Sequence, residues 1–232
     1  MQGHRTPPTI YSLGDSAITL DLGNGIDPQL NSRALAIYRY VREHSFPGIL
    51  DTIVAYCSVS VLFDPARIGG RSAVSDLLWQ AWQRTPGTAD PGQGRLVRIP
   101  VCYEAEYGPD LEAVARQKQM SPAEFAGLHC SVVYRIYMIG FLPGFPYMGK
   151  LDARLDVPRK QRPVPVLAGG VGIAGRQTGI YPLDSPGGWQ IIGRTPVTLF
   201  DRDADPPVRL SVGDRVEFYP VSAAEFVSGK SE

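Results

Sequence analysis

The order of apolar and polar positions divides the chain into two kinds of territory. Residues 8–22, PTIYSLGDSAITLDL, hold two short β-prone runs around Gly14-Asp15 and predict a hairpin. Asp27-Pro28 then marks a helix start, because an aspartate accepts from the free amides of a first turn and proline has no amide to leave orphaned there. Leu30, Ala34, Ile37, Tyr38 and Val41 follow at helical spacing, so one face of that helix is expected to be buried. ILDTIVAY (49–56) and SVSVLFD (58–64) read as strands. Val74, Leu77, Leu78, Ala81 and Trp82 repeat the helical pattern. Such a succession predicts a small sheet covered on one face.

The second territory has shorter apolar runs and many more turns. It begins after TPGTADPGQG (85–94), where five of ten residues are Gly or Pro and no large apolar side chain occurs. The expected division is therefore a domain over 1–85, a linker over 86–94 and a domain over 95–232. RLVRIPVCY predicts a strand and PDLEAVARQKQ a short helix. In SPAEFAGLHC, Ser121, Pro122 and Glu124 occupy the cap, first-turn and capping-box positions of another helix. VVYRIYMIGF (132–141) is rich in aromatic and branched residues and reads as a strand. From Gly140 to Pro196, 19 of 57 residues are Gly or Pro, and LSVGDRVEFYP (210–220) predicts a closing hairpin at Gly213-Asp214. Short strands joined by tight turns imply a barrel or a sandwich, and the whole chain reads as α+β.

Composition removes several classes of function. Lys plus Arg and Asp plus Glu number 23 each, so the positive excess of a nucleic-acid binder is missing. No apolar stretch is long enough to cross a bilayer, and MQGHRTPPTIYSLGDSA has no leader-like apolar segment, which sets the expectation of a cytoplasmic protein with no membrane partner. Cys57, Cys102 and Cys130 form no C-x-x-C pair, and His4, His44 and His129 are the only histidines, so no metal centre is expected. Cys130, beside His129, reads as a small buried thiol.

Three glycine-rich stretches invite chemical readings. Gly170-Val-Gly-Ile-Ala-Gly175 spells the dinucleotide fingerprint, but Gly179 and Pro182 forbid the helix that would hold a pyrophosphate. Gly144 to Lys150 spells most of a phosphate-binding loop, yet Leu151 stands where a hydroxyl is needed and Pro146 removes an amide. The aromatic and proline residues here, Phe141, Pro143, Phe145 and Tyr147, read instead as a rigid wall or contact surface. Ser185-Pro-Gly-Gly-Trp189 pairs a serine with glycine amides, and Gln177, Thr178 and Tyr181 lie just before it. Donors, glycine amides and an aromatic describe a polar ligand pocket better than a covalent catalyst.

YRIYMIGFLPGFPYMGKLD, VGIAGRQTGIYPLDSPGGWQIIGRTP and CYEAEYGPDLEAVA closely resemble the KipI family. That family contains the B subunit of bacterial ATP-dependent 5-oxoprolinase and proteins known as the first subunit of allophanate hydrolase. The resemblance covers nearly the whole chain, with Ser131-Val-Val-Tyr134 where Ser-Pro-Glu-Tyr is more usual. It implies a small ferredoxin-like N-terminal domain followed by a cyclophilin-like β-barrel. It also implies a protein that joins a homologous C subunit and a separate A subunit to open the lactam of 5-oxoproline to glutamate, using ATP with Mg2+ at the level of the complex. Under that reading His129 and Arg176 are the catalytic pair, His129 moving a proton and Arg176 holding the lactam oxygen or a carboxylate, while Gln177, Thr178, Tyr181, Ser185, Gly187, Gly188 and Trp189 bind the substrate. Two alternatives stay open: a regulator that inhibits a sensor histidine kinase, and a role in amide or urea metabolism.

Overall fold

A computed structural model describes residues 7–85 and 94–229, and its contacts separate residues 1–93 from 94–232. The linker expected at 86–94 lies outside the described residues except for Gly94.

In the first unit β1 (Thr9–Leu13) and β2 (Ala17–Asp21) form the expected hairpin, and the sheet runs β1-β2-β4-β3 with all neighbours antiparallel, where β3 is Ile49–Ala55 and β4 is Ser58–Phe63. β4 alternates strictly: Val59, Val61 and Phe63 are buried, while Ser58, Ser60 and Leu62 are half-exposed. The buried row faces helices α1 (Pro28–Glu43) and α2 (Arg71–Arg84). Asp27 caps α1 by accepting from the amides of Gln29 and Leu30 at 2.8 and 2.9 Å. The element order is β-β-α-β-β-α. A ferredoxin-like domain runs β-α-β-β-α-β, so the layers are those expected but the connection order differs.

The second unit is a closed seven-stranded barrel, β10-β7-β6-β13-β5-β12-β9. Its strands are β5 (Leu96–Cys102), β6 (Val133–Ile139), β7 (Pro146–Gly149), β9 (Gly170–Ala174), β10 (Gln177–Ile180), β12 (Gln190–Arg194) and β13 (Arg215–Val221). A two-stranded ribbon, β8 (Val164–Val166) with β11 (Ser185–Gly187), lies outside that circuit. The barrel core gathers Ile99, Val101, Tyr134, Ile136, Met148, Val171, Ile173, Ile180, Ile192, Val216 and Phe218. Helices α3 (Leu111–Gln117) and α4 (Pro122–Cys130) add Leu111, Val114 and Phe125 to it. The Ser121–Glu124 capping box forms as read, with Glu124 accepting at 2.8 Å from the Ser121 amide.

The hairpin expected at Gly213-Asp214 does not form. Residues 210–214 are irregular, and β13 inserts between β5, to which it is parallel, and β6, to which it is antiparallel. Asp214 is claimed by other partners instead: its carboxylate accepts from Arg95 at 2.9 Å and from the Ser211 amide at 3.0 Å, and its carbonyl accepts from Ile136. Both glycine fingerprints are strands. Gly170–Ala174 is β9, and Pro146–Gly149 is β7 within the near phosphate loop.

Candidate functional site

Strand β10 has two chemically different faces, because successive side chains point to opposite sides of a strand. Thr178 and Ile180 point into the barrel, where Ile180 joins the core and Thr178 meets His129. Gly179 presents the other face, where an added Cβ would sit 2.9 Å from the ring of Phe145.

On the inner face, His129 is fully buried near the end of α4, four residues after buried Phe125, and stacks on Phe218 with centroids 4.7 Å apart. Its Nε2 lies 2.9 Å from Thr178 Oγ1, and Thr178 Oγ1 donates to the Gly172 carbonyl at 3.1 Å. A hydroxyl has one proton to give, so Thr178 accepts from His129, which fixes the Nε2–H tautomer. Nδ1 then accepts from the Tyr103 hydroxyl at 2.7 Å, and Tyr103 in turn accepts from the Cys130 thiol at 3.3 Å. Donors therefore run in one direction from Cys130 to Tyr103 to His129, and onward through Thr178 to Gly172. Burial holds the His129 pKa at about 3 and pushes the Tyr103 and Cys130 pKa values up, so every member is neutral near pH 7.

Against the proton-moving role expected of His129 stands this geometry: its one lone-pair nitrogen is occupied by Tyr103, and no part of the ring faces solvent. Thr178 belongs to the same chain and points into the barrel, away from the face that carries Tyr181 and Trp189.

The outer face carries an aromatic cluster. Phe145, Tyr181 and Trp189 are buried there with Val166, Ala174 and Ile191, and Tyr147 packs against them. Phe145 lies edge-on to Tyr181 and to Trp189, with centroids 5.1 and 5.5 Å apart, and Tyr147 meets Trp189 at 5.8 Å. Glycines make this packing possible. A Cβ on Gly187 would fall 2.3 Å from the Tyr181 hydroxyl oxygen, and one on Gly172 would fall 3.1 Å from the Trp189 Cβ. The glycine-dense stretches are thus seats for the protein's own rings, where the sequence suggests an open recess lined by amides. A cavity of about 470 Å3 lies away from this face, on the Tyr103–Cys130 end of the His129 chain, lined also by Leu111, Ala126 and Val221.

The remaining expected site residues fall around this cluster. Gln177 opens β10 and pairs with Gly149 and Ala174. Arg176 is exposed in the turn before it and donates to the Leu151 carbonyl at 3.3 Å, far from the buried His129 chain in its chemistry as well as its exposure. The Gly188 carbonyl accepts from the Lys160 amide at 2.8 Å. The Ser185 hydroxyl is buried and makes no hydrogen bond, so no base activates it as a nucleophile. Pro143 and Phe141 sit at the tip of the 140–145 loop. Phe141 is 64% exposed, holds a left-handed φ of 67° and touches Phe145 edge-on at 5.9 Å.

Sequence reasoning missed Arg159, Lys160 and Asp110. The Lys160 ammonium pairs with Asp110 at 2.6 Å, and the Arg159 guanidinium lies 5.9 Å from the Trp189 ring centre. The run Pro158-Arg-Lys-Gln-Arg-Pro163, basic residues between two prolines, was the available signal.

Known proteins share this sequence and fold. The family model "Carboxyltransferase domain, subdomain C and D" matches residues 8–210. The B subunit of 5-oxoprolinase from Bacillus subtilis (strain 168) is 40% identical, over 96% of this chain and 97% of its own length. The protein of the same name from Escherichia coli O157:H7 is 36% identical, over 90% and 94%. Among solved structures, TTHA0988 superposes with a TM-score of 0.79 at 36% identity, covering 89% of this chain and 40% of that one. Urea amidolyase from Lachancea kluyveri matches 94% of this chain at 26% identity but only 13% of its own length.

Proposed function

The chain belongs to the family of carboxyltransferase domains, subdomains C and D, and on that premise we propose that it is the B subunit of an ATP-dependent 5-oxoprolinase. The observation that carries this reading is end-to-end correspondence: the Bacillus subtilis protein of that name aligns over 97% of its own length. The small match to urea amidolyase, 13% of that protein, fits a module that works beside others. The complex opens 5-oxo-L-proline to L-glutamate, and this chain meets a homologous C subunit and a separate A subunit in it.

Neither glycine-rich motif of the chain fits a nucleotide. Neither glycine motif leads into a helix N-terminus, where phosphate oxygens would find free amides. ATP and Mg2+ are therefore assigned to the complex. What this chain contributes is an aromatic face with basic edges and, at Phe141, a contact point for a partner. A bulky residue with positive φ is strained by roughly 1–3 kcal/mol. Holding an exposed ring in that posture suits a docking role, where the strain is offset on assembly.

Co-expression of the chain with A and C subunits, followed by assay of glutamate formed from 5-oxoproline and ATP, tests the reading. Glutamate formation that requires all three chains is the expected result. A purified three-chain complex that hydrolyses no ATP in response to 5-oxoproline would overturn it.

A further inference from the structure

The loop over the aromatic face is fixed on both sides of one residue. The Gln190 side-chain amide donates to the Pro158 carbonyl at 3.1 Å, and the Lys160 amide donates to the Gly188 carbonyl at 2.8 Å. Lys160 is further tied by its ammonium to Asp110, in a pair whose side chains are only 19% and 21% exposed. Asp110 is also occupied by the Ile191 amide at 2.6 Å. Asp110 is thus committed to its neighbours.

Arg159, between these anchors, is exposed, and among the described residues no carboxylate lies within ion-pair distance of it. Its guanidinium approaches Trp189, and its charge opposes the rise that burial imposes on the pKa values of Tyr147 and Tyr181. It therefore stands near all three rings. Arg95, Arg98, Arg116 and Arg154 of the barrel unit have acidic partners, while Arg162 and Arg209, like Arg159, have none among the described residues; what singles out Arg159 is its place beside Trp189, Tyr147 and Tyr181. A guanidinium held beside an aromatic surface without an acidic partner is suited to a planar anion, because its fork matches the two oxygens of a carboxylate and little side-chain freedom is lost on binding.

We propose that Arg159 is the anion-recognising residue of the aromatic face, and that its ligand is the carboxylate of a small cyclic amide. This deepens the 5-oxoprolinase reading and rests on it for the identity of the ring. It predicts that a lactam without a carboxylate is a poor ligand, since the guanidinium then has nothing to pair with.

Trp189 supplies a reporter. The only other tryptophans are Trp79 and Trp82, both in α2 of the first unit, so a W79F/W82F chain emits from Trp189 alone. Drawing the guanidinium toward an anion changes the field at that ring. Titration of the intact chain with 5-oxoproline is expected to give a saturable emission change, and pyrrolidin-2-one, the same ring without the carboxylate, to bind about tenfold or more weakly. Arg159→Ala is expected to abolish the difference between the two ligands, and Arg159→Lys to restore it only in part. Calorimetric titration of the natural chain and its Arg159→Ala variant serves if the double tryptophan variant does not fold.

Equal binding of both ligands, or 5-oxoproline binding unchanged by Arg159→Ala, overturns the proposal. In the three-chain complex, turnover with an unaltered KM for 5-oxoproline after Arg159→Ala also overturns it while leaving the 5-oxoprolinase reading intact. Arg159-dependent binding of 5-oxoproline to a complex without turnover has the opposite meaning: the recognition stands and the reading fails.

Discussion

The two faces of β10, a few ångströms apart, solve opposite problems. Inside, Thr178 is one link of a polar chain whose donors are all used, so a buried histidine and a half-buried tyrosine have their partners supplied. Outside, Gly179 has no side chain at all, and the space is filled by Phe145 and its aromatic neighbours. The inner face gains specificity from direction, since one tautomer satisfies it. The outer face gains it from shape, since only glycine fits. On the outer face Arg159, Tyr147 and Phe141 retain exposure, which is why the proposed anion contact is placed there.

The strongest way to break the inner face is to charge or remove His129. Its folded pKa, about 3, lies below the ordinary 6.5, so the unfolded chain takes up the proton first. The stability that neutral His129 provides is complete above about pH 6.5 and is lost as pH falls toward 3, an effect on the order of a few kcal/mol. Denaturant midpoints measured from pH 7 to pH 4 should fall steeply in the natural protein and less in His129→Leu. That variant should itself lose roughly 2–4 kcal/mol at pH 7, because Tyr103 and Thr178 each lose the ring as a partner. A flat profile in the natural protein would contradict the buried neutral ring.

Next in size is the outer face. Gly187→Ala puts a methyl group into the Tyr181 ring and should cost about 1–3 kcal/mol, read from the urea midpoint, with loss of near-ultraviolet aromatic ellipticity. Smaller again is Ser121→Ala, which removes the cap of the helix carrying His129 and should cost about 1 kcal/mol by the same measurement. The smallest stability effect is expected from Phe141→Gly, which relieves the positive φ and should stabilise the isolated chain by no more than about 1 kcal/mol. Its larger consequence should appear in co-purification, where recovery of the partner subunit falls.

How much of this was legible depended on the range of the interaction. Caps were legible, because Asp27 and Ser121 act on amides two or three residues away. So was the alternation of β4, and the long motifs that carried the family resemblance, which the homologues bear out. Gly213-Asp214 looked like a hairpin because its turn residues are right, but Asp214 is held by Arg95, more than a hundred residues away, and only the closed barrel brings them together. The glycines near Trp189 suggested amide donors, since sequence records the missing side chain and not the ring that occupies its place. The burial of His129 was within reach: its spacing from Phe125 puts both on one helical face, and that face is buried.

The place of β13 in the barrel bears on how the protein is made. It is the last strand among the described residues, yet it lies between β5 and β6. Until residue 221 has left the ribosome, those two earlier strands expose bare hydrogen-bonding edges to every other chain nearby, a state prone to adventitious strand pairing. Barrel closure therefore waits on residues 215–221, and nascent chains stalled before them should be clients for chaperones.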